Sequence, residues 1–420
     1  MKFSQLIPIS LAFLRHQTQA SPLLHPKSDS TITPNAHQSQ GTATFNVPLT
    51  DWIKNGHTDL QWYATIAVGT PPQEFSVLID TGSHALILPQ NNCTTCSPSQ
   101  HKFTPSASST FSWSSLGEAD PGFSTGGDTI PLAEPQGALC HWAIDNVSIL
   151  GTTTQNSGHS HADSKTAPAF AFLLCDEEDS ALTTQPGIDG VLGLGLYSAN
   201  PASFQYALVA AGVLPQSGSS NVKNGVFSLY TPPGEVTGAQ LTLGGVDESR
   251  LSDCADELVW VPLNQTLAAS HSQWVADIPK IFINGKQLLA PATTSSPSTA
   301  RTPYPPSLAQ VLDSGTAAVF APDNATAAAL YAQISPKIYQ IDAIGTWGCS
   351  CADMRAIVES GAEITFLLGA DGGQQFNATI PSSVFNLGPY PGLNGICQAV
   401  VNNWQDGRVC YNWSLKGVGK

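Results

Sequence analysis

Two segments of the chain carry residues that could do chemistry: Val77-Leu78-Ile79-Asp80-Thr81-Gly82-Ser83 and Gln310-Val311-Leu312-Asp313-Ser314-Gly315-Thr316. Each is an apolar run ending in Asp-[Thr/Ser]-Gly-[Ser/Thr]. The run predicts a strand that delivers a carboxylate at its end. The glycine permits a tight turn and close backbone approach, and a small hydroxyl can hydrogen-bond the carboxylate. Two such halves set face to face would place Asp80 and Asp313 side by side, sharing a proton. One Asp-Ser-Gly-Thr alone is usually a turn, because Asp, Ser and Gly each favour turns. Its duplication behind two apolar strands is what points to catalysis.

The elements that must position these loops read as β structure. From Asp59 onward, short alternating apolar runs are separated by Gly, Pro and Asn turns, among them Trp62–Val68, Phe75–Ile79, Gly225–Tyr230, Gln240–Leu243 and Leu258–Leu263. That pattern predicts an all-β protein. Ile281-Phe-Ile-Asn284-Gly285 is a strand entering an Asn-Gly hairpin turn. Short helices are expected at Pro201–Ala211 and Ala325–Ile334. Residues 151–168, rich in Gly, Ser, Thr and His, and residues 291–309, rich in Pro, Ser and Thr, read as inserted surface loops. His159-Ser-His161 lacks a supporting carboxylate or Cys cluster, so no metal site is expected.

Length and composition bound the rest. The 420 residues suffice for two domains. The net charge is −15, and a surface poor in Lys and Arg argues against nucleic acid or an anionic membrane as partner. Residues 1–20 read as a signal peptide, with Lys2 before the apolar Leu6–Leu14 and a small-x-small site at Thr18-Gln19-Ala20. No later run is long enough to span a membrane. Residues 21–50 read as an unstructured leader or propeptide-like segment. Six sequons, at Asn92, Asn146, Asn264, Asn324, Asn377 and Asn412, are glycan acceptors if the chain is exported. The nine cysteines are then expected in disulfides. Cys93 and Cys96 would close a small loop. Cys349 and Cys351 sit too near each other to pair, so at least one would bridge to Cys397 or Cys410, and an odd thiol remains.

The residues around both tetrads resemble the pepsin family of aspartic proteases, in particular its secreted fungal members. Asp59–Ser83, including Gly69-Thr70-Pro71-Pro72-Gln73, is similar to that family's first active-site block. Asp189-Gly190-Val-Leu-Gly193-Leu-Gly195 is similar to the strand backing the first loop. Phe227–Tyr230, Leu243–Asp247, Trp260–Leu263, Trp274, Asn284-Gly285, Gly361–Leu367 and Ile380-Pro381 continue the likeness to about residue 400. The resemblance implies a bilobal fold with the active-site cleft between an N-terminal β lobe (51–240) and a C-terminal β lobe (241–420). It implies a monomeric, secreted, acid-active endopeptidase with protein or peptide substrates and no metal or organic cofactor. Asp80 and Asp313 would be the catalytic pair. Gly82 and Gly315 would lend N–H groups, Ser83 and Thr316 would bond the outer oxygens, and Thr81 and Ser314 would bond across the two loops.

Three departures from the family pattern stand out. No Tyr lies between Trp113 and Asp145, so the hairpin over the dyad would have its tip at Phe123-Ser-Thr-Gly126-Gly127. Ile87 stands where the family commonly has Trp. The C-terminal strand expected to back the second loop is absent, so the C-terminal lobe reads as incomplete. Two other functions compete with the protease. A catalytically impaired binding protein would keep the fold without turnover. An actin-like sugar kinase or ATPase would use Asp-x-Gly-[Ser/Thr] for phosphates, but export and disulfides argue against it.

Overall fold

The computed structural model describes residues 10–14, 44–54, 58–123, 125, 128–154, 160–183, 187–196, 203–214, 226–232, 237–250, 258–271, 273–288, 308–403 and 412–415. Strands dominate, with short helices at Phe204–Ala210 and Asn324–Ile334 where the sequence predicts them. Asp323 caps the second helix by accepting from the Thr326 N–H at 2.6 Å, an N-cap of the usual kind.

The same five-strand pattern is built twice. In the first half, Thr58–Val68 runs antiparallel to Gln73–Asp80, and Gln73–Asp80 runs parallel to Gly190–Gly193. Gly190–Gly193 is antiparallel to Leu86–Pro89, which is parallel to Ser160–Glu178. In the second half, Val275–Ile278 is antiparallel to Leu308–Leu312, and Leu308–Leu312 is parallel to Asn412–Leu415. Asn412–Leu415 is antiparallel to Val319–Ala321, which is parallel to Val401–Asn403. Each tetrad therefore follows a strand paired on both sides. Asp189, fully buried, fixes the first backing strand by accepting from the Ser76 N–H at 2.7 Å and the His101 N–H at 2.6 Å.

This pairing corrects the expectation of a missing backing strand. Asn412–Leu415 takes in the second half the place that Gly190–Gly193 takes in the first. Asn-Trp-Ser-Leu has no continuous apolar character of its own, so its partners and not its pattern make it a strand.

Each half closes over its own core. The first gathers Phe45, Ile66, Ile79, Phe103, Phe172 and Phe204, and the second gathers Ile283, Tyr331, Phe366, Ile380 and Phe385. Phe45–Lys54 belongs to the first sheet, with Phe45, Val47 and Leu49 turned inward at 1%, 0% and 2% exposure. The unstructured leader therefore does not extend to residue 50. Pro48 and polar neighbours mask the inward alternation. Ala239–Leu243 also pairs within the first sheet. Ser10–Leu14, inside the expected signal, lies antiparallel to Leu258–Pro262.

Residues 151–154 and 160–168 are not a loose insertion; residues 155–159 lie outside the described residues. Strands Gln136–Thr154 and Ser160–Glu178 stay paired out to Thr154 and Ser160, since the ladder is made by backbone groups that every non-proline residue carries. His159 and the stretch 291–307 lie outside the described residues. Asn284 and Gly285, with φ of 50° and 73°, make the expected hairpin turn. Disulfides join Cys93 to Cys96, Cys140 to Cys175 and Cys351 to Cys397. Cys349 is buried and free, and burial pushes its thiol up to about 11. Cys254 and Cys410 lie outside the described residues. Ile87 packs beside the Cys140–Cys175 bridge.

Candidate active site

Both tetrads turn immediately after their strands, and the turn aims each loop's own N–H at its carboxyl. Gly82 N–H donates to Asp80 Oδ1 at 2.7 Å, and Gly315 N–H donates to Asp313 Oδ1 at 2.8 Å. The two loops then meet. Thr81 Oγ1 donates to the Leu312 carbonyl at 2.7 Å, and Ser314 Oγ donates to the Ile79 carbonyl at 2.6 Å. In return the Ser314 N–H reaches Thr81 Oγ1 at 2.9 Å, and the Thr81 N–H reaches Ser314 Oγ at 3.1 Å. Four reciprocal hydrogen bonds thus fix the loops against each other.

The carboxyls of Asp80 and Asp313 lie against each other where the two loops meet. The Asp313 carboxyl is held well above the usual carboxylate range, first by burial, then by the charge of Asp80 and the bond to it. Two carboxylates in contact cannot both ionise, a case for which aspartic proteases serve as the general example. The approach depends on the glycines. A Cβ on Gly82 would lie 2.5 Å from the Asp313 carboxyl, and one on Gly315 would lie 2.5 Å from Asp80 Oδ1.

The outer oxygens are treated unequally. Thr316 Oγ1 lies 2.5 Å from Asp313 Oδ2, whereas Ser83 Oγ is buried without a hydrogen-bond partner among the described residues. The implied bond from Ser83 to Asp80 is therefore not made. Thr316 is a fully buried β-branched residue whose hydroxyl direction is fixed by its χ1. Ser83 has no second branch to lock it.

Several positioning residues escaped the sequence reading. Gln61 Nε2 donates to the Gly315 carbonyl across the site, and Gln273 Nε2 donates to the Gly82 carbonyl at 3.1 Å. Their signal was present as a repeated dipeptide, Gln61-Trp62 and Gln273-Trp274. Trp274 Nε1 further donates to the Leu194 carbonyl at 2.9 Å, tying the second half to the first.

Ser112–Ala119 pairs antiparallel with Gln136–Thr154, and Gly122–Phe123 continues that pairing. Phe123 packs among Ile87, Leu173 and the Cys140–Cys175 bridge. Thr125 Oγ1 lies 2.9 Å from Thr316 Oγ1. The single Thr316 proton is directed at Asp313, so in this contact Thr125 donates. Thr129, on the returning limb, bonds to Gln398 and Asn402 of the second half. Of the expected tip, Thr125 thus reaches the residue that supports Asp313, while residues 124, 126 and 127 lie outside the described residues.

Among the described residues, Asn92, Asn324 and Asn377 are exposed. Asn146 and Asn264 are half-buried with their amides engaged, Asn146 accepting from the Ala169 N–H and Asn264 donating to Asp277.

Comparison with known proteins places this geometry. A model of the family described as eukaryotic aspartyl protease matches residues 61–410. Pepsin A of Suncus murinus is 28% identical over 281 residues, which are 66% of this chain and 59% of that protein. Cathepsin E of Oryctolagus cuniculus is 30% identical over 253 residues, 59% of this chain and 52% of that protein. Pepsin-2B of Gadus morhua is 26% identical over 284 residues, 66% of this chain and 70% of that protein. The chain thus spans between about half and three-fifths of the first two relatives. The family match covers both Asp loops, the second core and most of the first, and the chain belongs to the eukaryotic aspartyl protease family.

Proposed function

We propose that this protein is a secreted aspartic endopeptidase of the fungal type, active in acid as a monomer on protein and peptide substrates. The observation that carries this reading is the apposition of the Asp80 and Asp313 carboxyls, each lying against the glycine of the other's loop, with the Asp313 carboxyl pushed above the usual carboxylate range by burial and by Asp80. The charged partner acts as general base toward a water between the two carboxyls, while the protonated one donates toward the scissile carbonyl oxygen. Water then attacks directly, and no covalent intermediate or metal is needed. The cross-laced loops keep both acids in place as charge moves between them, which is the preorganisation such a step requires. An extended peptide beneath the hairpin would present alternate side chains to the two lobes.

The test is hydrolysis of a denatured protein substrate between about pH 2.5 and 6.5, where a carboxylate dyad holds one proton. Wild type and Asp80→Asn are compared after export from the same host. Acid-confined hydrolysis lost in the variant supports the reading. A folded wild type without hydrolysis overturns it.

A further inference from the structure

Leu86–Pro89, Ser160–Glu178, Gln136–Thr154 and Ser112–Ala119 follow one another across the first sheet. With the turn after Leu86–Pro89 they form a cavity of about 430 Å³, lined by Gln90, Asn92, Trp113, His141 and Asp176. None of these residues belongs to the two Asp loops. The volume is that of a small-molecule site. Trp113, 52% exposed, is the most exposed large apolar side chain among the described residues. Its ring is nonetheless held in place. Phe111 and His141 meet it edge to face, with centroids 5.1 and 5.8 Å away. His141 Nε2 lies 3.3 Å from Asp176 Oδ2, which sets a polar pair beside the indole.

Asn92 stands on the same cavity, is exposed, and heads the sequon Asn92-Cys93-Thr94. The backbone around it is tied on both sides. Asn91 N–H donates to the Phe103 carbonyl at 2.8 Å, Cys93 N–H to the Gln90 carbonyl at 2.9 Å, and Thr94 N–H to the Asp176 carbonyl at 3.3 Å. The Cys93–Cys96 bridge closes the loop that follows. A sugar attached at Asn92 would therefore start from a fixed point. A single exposed tryptophan is ordinary on a protein surface, and so is a sequon. Their meeting in one cavity is what points to a ligand. A pyranose ring has an apolar C–H face and a rim of hydroxyls. The face suits the electron-rich surface of an indole, and the hydroxyls suit carboxylate, imidazole and amide groups. Such stacking needs no ionised group, so it serves in acid as well as at neutrality.

We propose that this cavity seats the first N-acetylglucosamine of a glycan carried by Asn92, with the pyranose face lying on Trp113. The attachment rests on the reading of this chain as secreted, since sequons are glycosylated in exported proteins. The seated ring would cover the indole and remove its apolar surface from water. The glycan would then be part of the first lobe's packing rather than a loose surface chain.

The experiment secretes the full chain from a eukaryotic host and probes Trp113 by hydroxyl-radical labelling with peptide mapping. Wild type is compared with Thr94→Val, which removes the sequon but leaves Asn92, and with Thr94→Ser, which keeps the sequon. Stacking on the scale of an aromatic pair favours the seated ring by about two- to tenfold. Labelling of Trp113 should therefore rise about threefold or more in Thr94→Val and stay low in Thr94→Ser. Tyr339, 51% exposed in the second half, should be labelled equally in all three. Trimming the glycan to its first sugar should leave the protection intact. Should Thr94→Val not be exported, enzymatic removal of the whole glycan from folded wild type should give the same rise. Equal labelling of Trp113 with and without an occupied Asn92 overturns the proposal, as does protection that vanishes on trimming. A secreted chain with a bare Asn92 overturns it and leaves the protease reading standing. A wild type retained in the cell without sugar overturns the reading as secreted together with it. Hydrolysis enters none of these readouts.

Discussion

Thr129 and Gln398 are joined twice: Thr129 Oγ1 donates to Gln398 Oε1 at 2.9 Å, and Gln398 Nε2 donates to the Thr129 carbonyl at 2.8 Å. The segment leading into Gln136–Thr154 is thus fastened to the second half by residues that are both buried. Thr129→Val removes one of the two bonds at nearly constant shape and leaves Gln398 Oε1 without its donor. The loss is about 1 kcal/mol, or roughly a fivefold shift in the local opening equilibrium. Amide hydrogen exchange across residues 128–132 should quicken by that factor while the core strands keep their protection. Unchanged exchange there would show that the clasp does not hold the hairpin.

The cross-lobe lacing predicts a non-additive pair. Thr81→Val and Ser314→Ala each delete a hydroxyl that both gives and accepts across the interface. Each should cost about 1–3 kcal/mol of stability in denaturant unfolding. The double variant should cost less than the sum, because the two hydroxyls serve each other's N–H groups. Ser314→Thr keeps the hydroxyl and should stay near wild type.

Stability should fall as the medium approaches neutrality. The native values of Asp313 and Glu178 are raised, Glu178 to about 7. A raised carboxyl holds its proton in the folded state after the unfolded chain has lost it. Its contribution is therefore complete below the unfolded value near 4 and disappears as pH rises through the native one. Asp342, half-buried, works in the opposite sense. The hydrogen bonds from Thr346, Tyr390 and Ile344 outweigh its burial and lower its value, so its contribution is lost below the usual carboxylate range. The thermal midpoint should be highest in moderate acid and decline from about pH 5 to 7. Glu178→Gln should flatten that decline. A midpoint that rises across this window would contradict both shifts.

Glycan occupancy should follow side-chain engagement rather than sequon count. Asn92, Asn324 and Asn377 are exposed. Asn264 spends the nitrogen that would carry sugar on Asp277 Oδ1 at 2.7 Å, and its Oδ1 accepts from the Leu267 N–H at 3.0 Å. Asn324, though exposed, likewise donates its Nδ2 to Gln340 Oε1. Peptide mapping after enzymatic deglycosylation in heavy-oxygen water should mark Asn92 and Asn377 and leave Asn264 and Asn324 unlabelled.

What could be read from the sequence was what is local along it. An Asp-Thr-Gly-Ser carries its turn, its donor and its acid within four residues, so Asp80 and Asp313 were identifiable before any fold was known. Buried strands such as Gln73–Asp80 declared themselves by apolar content. Elements defined by their partners did not. Phe45–Lys54 hid its alternation behind Pro48, and Asn412–Leu415 is a strand because Leu308–Leu312 lies beside it. The clasp between Thr129 and Gln398 spans 269 positions and leaves no local mark. Ser83 shows the converse limit: a residue in the right place can still lack the bond its type allows, because nothing fixes its rotamer.

The glycines of the two loops stand in each other's halves. The volume that Gly82 leaves empty is filled by the carboxyl of Asp313, and the volume that Gly315 leaves empty is filled by that of Asp80. Each half of the molecule therefore carries the mould for the other's acid rather than for its own. A side chain gained in one loop could be accommodated only by a change in the opposite loop. The two halves, however far their surfaces diverge, must inherit this small region together.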